Sequence, residues 1–174
     1  MLTEPLPTLL DMRKLASRDT QLNGVLQLDK LPRLVGLVVD PDGQVEVHCR
    51  FSNNEEGHPV LNLQFEAELL VECQRCMEPV SIVVGSNTDL GIVWTEDQAK
   101  ALPSSLEPLV LEEGQGNLWS VVEDELILSL PIVSYHDDGQ CVQLKEQYSV
   151  GEQSADLMQE PSPFQVLETL KSKK

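Results

Sequence analysis

A chain of 174 residues is long enough for one full domain and short for two. Its hydrophobic share of 41% and charged share of 24% are those of a soluble globular protein, and no apolar stretch approaches the length of a membrane span. With 12 basic residues against 29 acidic ones the net charge is −17, which argues against affinity built on neutralising many phosphates and favours a basic protein partner.

The N-terminus shows no basic segment followed by an apolar core, so a cytoplasmic location is expected. In that setting the four cysteines read as thiols or metal ligands rather than a disulfide framework. Residues 8–18 have the makings of a short helix with Thr8 as N-cap. A strand is predicted over 22–28 and a second apolar run over 34–39, closed by the turn Asp40-Pro-Asp-Gly43. Val45, Val47, Cys49 and Phe51 then alternate with Gln44, Glu46, His48 and Arg50, a half-buried strand that the Asp-Gly link pairs in a hairpin with its predecessor. Cys49 falls on the apolar side and reads as a small core residue.

After a polar turn at 53–59 comes the longest alternating run in the chain. Leu61, Leu63, Phe65, Ala67, Leu69, Val71 and Cys73 oppose Asn62, Gln64, Glu66, Glu68 and Glu72. This strand delivers Cys73 and Cys76 into a tight turn, and a partner strand follows at 80–84, resuming at 90–94. A short helix capped by Thr95 is predicted over 95–101, and a short apolar run over 109–111. The strongest helix is 117–130, capped by Asn117 and ended by Pro131, with Glu123 and Asp124 assigned to its solvated face. Residues 149–163 read as a flexible linker, and Phe164, Leu167 and Leu170 recur at helical spacing on a short amphipathic tail, 164–174. Residues 1–148 form the single globular domain in this reading.

The spacing of Cys73-Gln-Arg-Cys76 lets one turn bring two thiolates to a tetrahedral ion, and His136 with Cys141 would complete a Cys3His candidate zinc site. A zinc knuckle usually has glycine after its second cysteine; Met77 stands there. A redox role fits poorly, because thiol oxidoreductases set such a pair at a helix start, whereas Glu72, Glu78 and Pro79 flank this one. Phosphate loops and the common hydrolase motifs are absent, so no catalytic residue is assigned. Acidic residues are unevenly placed: residues 1–35 balance four against five basic ones, while 96–125 hold eight against Lys100 alone. Arg13, Lys14 and Arg18 are the candidates for contact with RNA, and with 4% aromatic residues a base-stacking platform is not expected.

Four blocks together carry a resemblance. Val71-Glu-Cys-Gln-Arg-Cys76 with Glu78-Pro-Val80, Val122-Glu-Asp-Glu-Leu-Ile-Leu-Ser-Leu-Pro131, His136 with Cys141, and Pro163-Phe-Gln-Val-Leu-Glu-Thr-Leu-Lys171 resemble the YceD family, the large ribosomal RNA subunit accumulation proteins of bacteria and plastids. The resemblance runs nearly end to end. It implies a part in synthesis, processing or stability of 23S ribosomal RNA, hence in large-subunit biogenesis, and brings no established catalytic residue. Many relatives carry a second C-x-x-C after the Leu-Pro block, where this chain has His136 and Cys141. That difference leaves open whether a metal is retained or Cys73 and Cys76 serve only in packing.

The expected fold is α+β, a mainly antiparallel curved sheet or open barrel of six or seven strands, with the 117–130 helix covering one face and short terminal helices. The expected function is non-enzymatic. An acidic surface, including Glu123 and Asp124, with the tail residues Phe164, Leu167 and Leu170, would engage a basic ribosomal protein or large-subunit assembly factor. Direct binding of 23S precursor RNA through Arg13, Lys14 and Arg18 is the alternative. Neither a membrane nor a small-molecule substrate is expected.

Overall fold

The computed structural model describes residues 4–111, 115–137 and 141. The sequence-predicted linker at 149–163 and the tail with Phe164, Leu167 and Leu170 lie outside the described residues. The fold is α+β, as expected. In chain order the elements are β1 (Leu9–Leu10), α1 (Met12–Ala16), β2 (Gln21–Gln27), a 3-10 turn (Leu28–Lys30), α2 (Pro32–Val35), β3 (Gln44–Asn53), β4 (Pro59–Glu72), β5 (Pro79–Val93), α3 (Glu96–Ala101), β6 (Glu107–Val110), β7 (Gly116–Asn117) and α4 (Leu118–Ser129). Strands β2 to β6 form one open sheet in sequential order, antiparallel except for the parallel β5–β6 pair, and β1 pairs with β7 in a small ribbon.

Alternation dictates which face of the sheet is covered. Val45, Val47, Cys49 and Phe51 of β3 share one side with Leu61, Leu63, Phe65, Ala67 and Leu69 of β4, all nearly fully buried. Leu118, Val122 and Leu126 of α4, Met12 and Ala16 of α1, and Leu34 of α2 join them in a single core cluster. Removing this apolar surface from water is the main term favouring the fold. Cys49 is a core residue as predicted, and burial pushes its thiol up to about 12. The other side of β3, β4 and β5 stays open to water.

Two sequence-predicted elements are corrected. The apolar run at 34–39 is not a strand: Pro32 opens the single helical turn α2, and the hairpin partner of β3 is β2, paired from Gln21↔Arg50 to Gln27↔Gln44. Proline suits the first helical position because its missing N–H has no helical acceptor to lose. The turn at 40–43 instead ends an excursion that is tied back to the sheet by Val39 N–H donating to the Leu70 carbonyl at 2.7 Å. The helix expected over 8–18 is likewise shorter. Asp11 is its N-cap, accepting from Lys14 N–H at 3.0 Å, while Leu9–Leu10 belong to β1. Thr8 contributes its carbonyl to α4, accepting from Leu118 N–H at 2.8 Å.

Helices α3 and α4 begin as the sequence predicts. The Thr95 side chain accepts from Gln98 N–H and that of Asn117 from Ser120 N–H. At Gly116, in the ribbon that precedes α4, a Cβ would meet the Met12 side chain at 2.5 Å, so Met12 would have to shift. The two strand segments predicted at 80–84 and 90–94 are one continuous 15-residue strand, β5. With the 14-residue β4 it makes a long hairpin whose tip is the C-x-x-C turn.

Candidate metal centre

Strand β4 ends at Glu72 and β5 starts at Pro79, so the hairpin tip is short and strongly constrained. Cys73 N–H donates to the Glu78 carbonyl at 2.9 Å, and Met77 N–H donates to the Cys73 carbonyl at 2.8 Å. Closing the turn puts Met77 in the left-handed region, at φ 62°, the conformation for which knuckles use glycine. Its side chain is 66% exposed and contributes little packing. Met77→Gly is therefore expected to stabilise the protein by about 1 kcal/mol, seen as a rise of roughly 2–4 °C in Tm. An unchanged or lower Tm would show that the strain relieved does not exceed the entropy glycine adds to the unfolded chain.

The second half of the cluster arrives on the segment after α4. Leu130 and Pro131 end the helix, and the chain then runs across the hairpin tip, where the Ser134 carbonyl accepts from Gln74 N–H at 2.9 Å. Arg75 stacks over the Tyr135 ring at 5.1 Å. These contacts bring His136 and Cys141 to the two knuckle cysteines. The four ligand atoms of Cys73, Cys76, His136 and Cys141 lie within 4.8 Å of one another.

The distances test whether the set fits a metal. Sulfur ligands about 2.3 Å from a tetrahedral zinc ion stand about 3.8 Å apart. The Cys73 and Cys141 sulfurs are 3.7 Å apart, and His136 Nδ1 lies 3.3 Å from the Cys76 sulfur and 3.7 Å from that of Cys141. The histidine is also oriented for the task. Its Nε2 lies 2.9 Å from the Pro79 carbonyl, which can only accept, so Nε2 carries the proton and the Nδ1 lone pair faces the thiols. Three thiols and one imidazole suit zinc or another thiophilic ion, and four such groups could fill a tetrahedral coordination shell.

Local electrostatics favour thiolate at one ligand. Burial pushes the Cys73 thiol up, but backbone N–H groups of Arg75, Cys76 and His136, with the Cys76 thiol, bond to its sulfur and draw it down to about 5. Cys141 is shifted upward by burial and by the neighbouring sulfurs.

The other sequence-predicted site residues are dispersed. Glu123, assigned to the solvated face of α4, is only 4% exposed. Its carboxylate accepts from Arg33 N–H at 2.7 Å, Leu34 N–H at 3.2 Å and Arg33 Nε at 2.9 Å, so it caps α2 and pairs with Arg33 at once. Asp124 stays half exposed and bonds the same guanidinium. Glu125 accepts from the Thr88 hydroxyl at 3.2 Å, and partial burial pushes its carboxyl up. All three acids of the Glu-Asp-Glu block thus hold α4 to its neighbours. Arg33 was missed by the sequence reading, since no local pattern links it to a partner 90 positions away. Of the RNA candidates, Arg13, Lys14 and Arg18 are all exposed, and Arg13 lies over the Trp94 ring at 5.3 Å.

The family described as "Large ribosomal RNA subunit accumulation protein YceD" matches residues 61–171. A protein of that name from Haemophilus influenzae is 32% identical over 169 residues, covering 97% of this chain and 97% of the relative. The chain belongs to the YceD family. The YceD match takes in the β4–β5 hairpin, its C-x-x-C tip, α4 with its acidic block, and both His136 and Cys141. No solved structure is significantly similar. Among the described residues no helix is long and apolar enough to cross a membrane.

Proposed function

We propose that this chain is a non-enzymatic factor in accumulation of the large ribosomal RNA, acting in the cytoplasm by binding a basic ribosomal protein or assembly factor. Family membership carries the biological part of this reading, because the relative it matches along 97% of its length bears that function in its name. The net charge of −17 supports a cationic protein partner over broad contact with RNA. In the same reading zinc held by Cys73, Cys76, His136 and Cys141 staples the hairpin tip to the segment after α4, and a closed four-ligand set supports a structural role over catalysis. Residues 164–174 serve as a docking peptide behind the 149–163 linker. Glu123 is removed from the partner surface, since its carboxylate is committed to Arg33 and α2.

Tagged protein isolated from cells in about 50 mM salt should retain basic large-subunit components that about 500 mM salt releases, because the screening length shrinks several-fold over that range. Retention of the same partners at both concentrations would argue against an electrostatic interface. Depleting the protein should lower the ratio of 23S to 16S ribosomal RNA, and an unchanged ratio would remove the role itself.

A further inference from the structure

The acidic residues on the uncovered face of the sheet form a specific arrangement. Glu46 of β3 stands directly opposite Glu66 of β4, and Glu68 follows two positions on along the same face. Across the next pairing Glu66 faces Gly85 and Glu68 faces Val83 of β5. Like charges opposite each other in an antiparallel pair repel, so proteins commonly place a cation between them or avoid the pair. Among the described residues, no ion pair engages Glu46, Glu66 or Glu68; Glu68 accepts only the Ser81 hydroxyl, at 2.6 Å. The three line an open groove of about 400 Å3, floored in part by Val83. Val83 is 70% exposed, so its side chain is open to contact from this face. Gly85, paired with Glu66, puts no side chain on this face, and a Cβ there would come within 2.9 Å of the Phe65 carbonyl.

We propose that this groove on the open face of β3, β4 and β5 is the docking surface for a lysine- or arginine-bearing segment of a basic polypeptide. The proposal rests on the basic-partner reading above and adds where on the molecule that partner sits. Its occupant follows from complementarity. The aliphatic stem of a lysine or arginine lies along Val83 and over Gly85, while its charged head enters among the three carboxylates and relieves their mutual repulsion. RNA is the wrong ligand for this face, because its phosphates would meet three carboxylates and none of the described residues lining the groove is a lysine or arginine.

Decalysine is the probe, titrated into the full-length protein at low salt by calorimetry. The triple variant Glu46→Gln, Glu66→Gln, Glu68→Gln should weaken binding by about tenfold or more, whereas Glu96→Gln, Asp97→Asn, Glu107→Gln, which removes the same charge elsewhere, should weaken it by less than about threefold. Amide NMR signals of Gln64, Val83 and Gly85 should shift on titration in the wild type and stay still in the first triple. Equal losses in the two triples, or shifts centred elsewhere, would reduce the attraction to net charge and overturn the groove. Binding of a 23S RNA fragment that the first triple abolishes would also overturn it. Protein crosslinking in cells separates the two levels. A basic ribosomal partner captured equally by wild type and the first triple sinks the groove alone; no basic partner captured by wild type sinks the reading beneath it.

Discussion

Glu123→Ala is expected to destabilise the protein by about 3 kcal/mol, with Tm falling by roughly 6–12 °C. The carboxylate is 4% exposed and satisfies two backbone N–H groups at the start of α2 as well as Arg33 Nε. Alanine leaves the part-buried Arg33 and buried Leu34 N–H groups without their acceptor, and it opens space between α2 and α4. The Arg33 head is about half exposed, so it recovers water and keeps the loss below that of a fully buried pair. Glu123→Gln retains one acceptor and should cost about half as much. Asp124→Asn is the informative control. It touches the same guanidinium at the surface, where an ion pair contributes under about 1 kcal/mol. A Glu123→Ala protein that melts with the wild type would refute the clamp and return the acidic block to the partner surface.

The second large effect concerns zinc. Purified protein should contain about one zinc per chain by mass spectrometry, and a strong chelator should lower Tm by roughly 8–16 °C. That range corresponds to about 4 kcal/mol, the stabilisation given by a ligand present near a thousand times its dissociation constant. Cys76→Ala and His136→Ala should each remove the metal. Cys49→Ala should leave zinc content unchanged, because that thiol lies within the core and outside the four-ligand cluster. Metal-free protein with an unaltered melting profile would mean that the thiols serve only in packing at the hairpin tip. Because the cluster joins the β4–β5 hairpin to the segment after α4, hydrogen exchange on chelation should rise first at residues 73–79 and 130–137.

Much of the fold was legible in the sequence, for a definite reason. Strands with one wet face must alternate, so β3 and β4 announced both their presence and their buried sides through Val45 to Phe51 and Leu61 to Val71. Caps are local too, and Thr95 and Asn117 marked α3 and α4 through contacts three residues away. The run at 34–39 misled because an apolar stretch that short fits a strand or a buried turn equally well. Pro32 was the local hint, but the choice was made by Glu123 supplying a cap from α4.

Within one stretch of chain, the sequence determined the half-buried strands, the two capped helices, the Cys73 and Cys76 spacing and the large negative charge. Only the tertiary structure decided that β2 pairs with β3, that His136 turns its Nδ1 toward three thiols, that Glu123 faces Arg33, and that Glu46 meets Glu66 across a strand pair. The division has one cause. Periodicity and capping act between residues a few positions apart, whereas a carboxylate's role depends on whichever group the folded chain sets against it, and that group lies 20 residues away for Glu46 and 90 for Glu123.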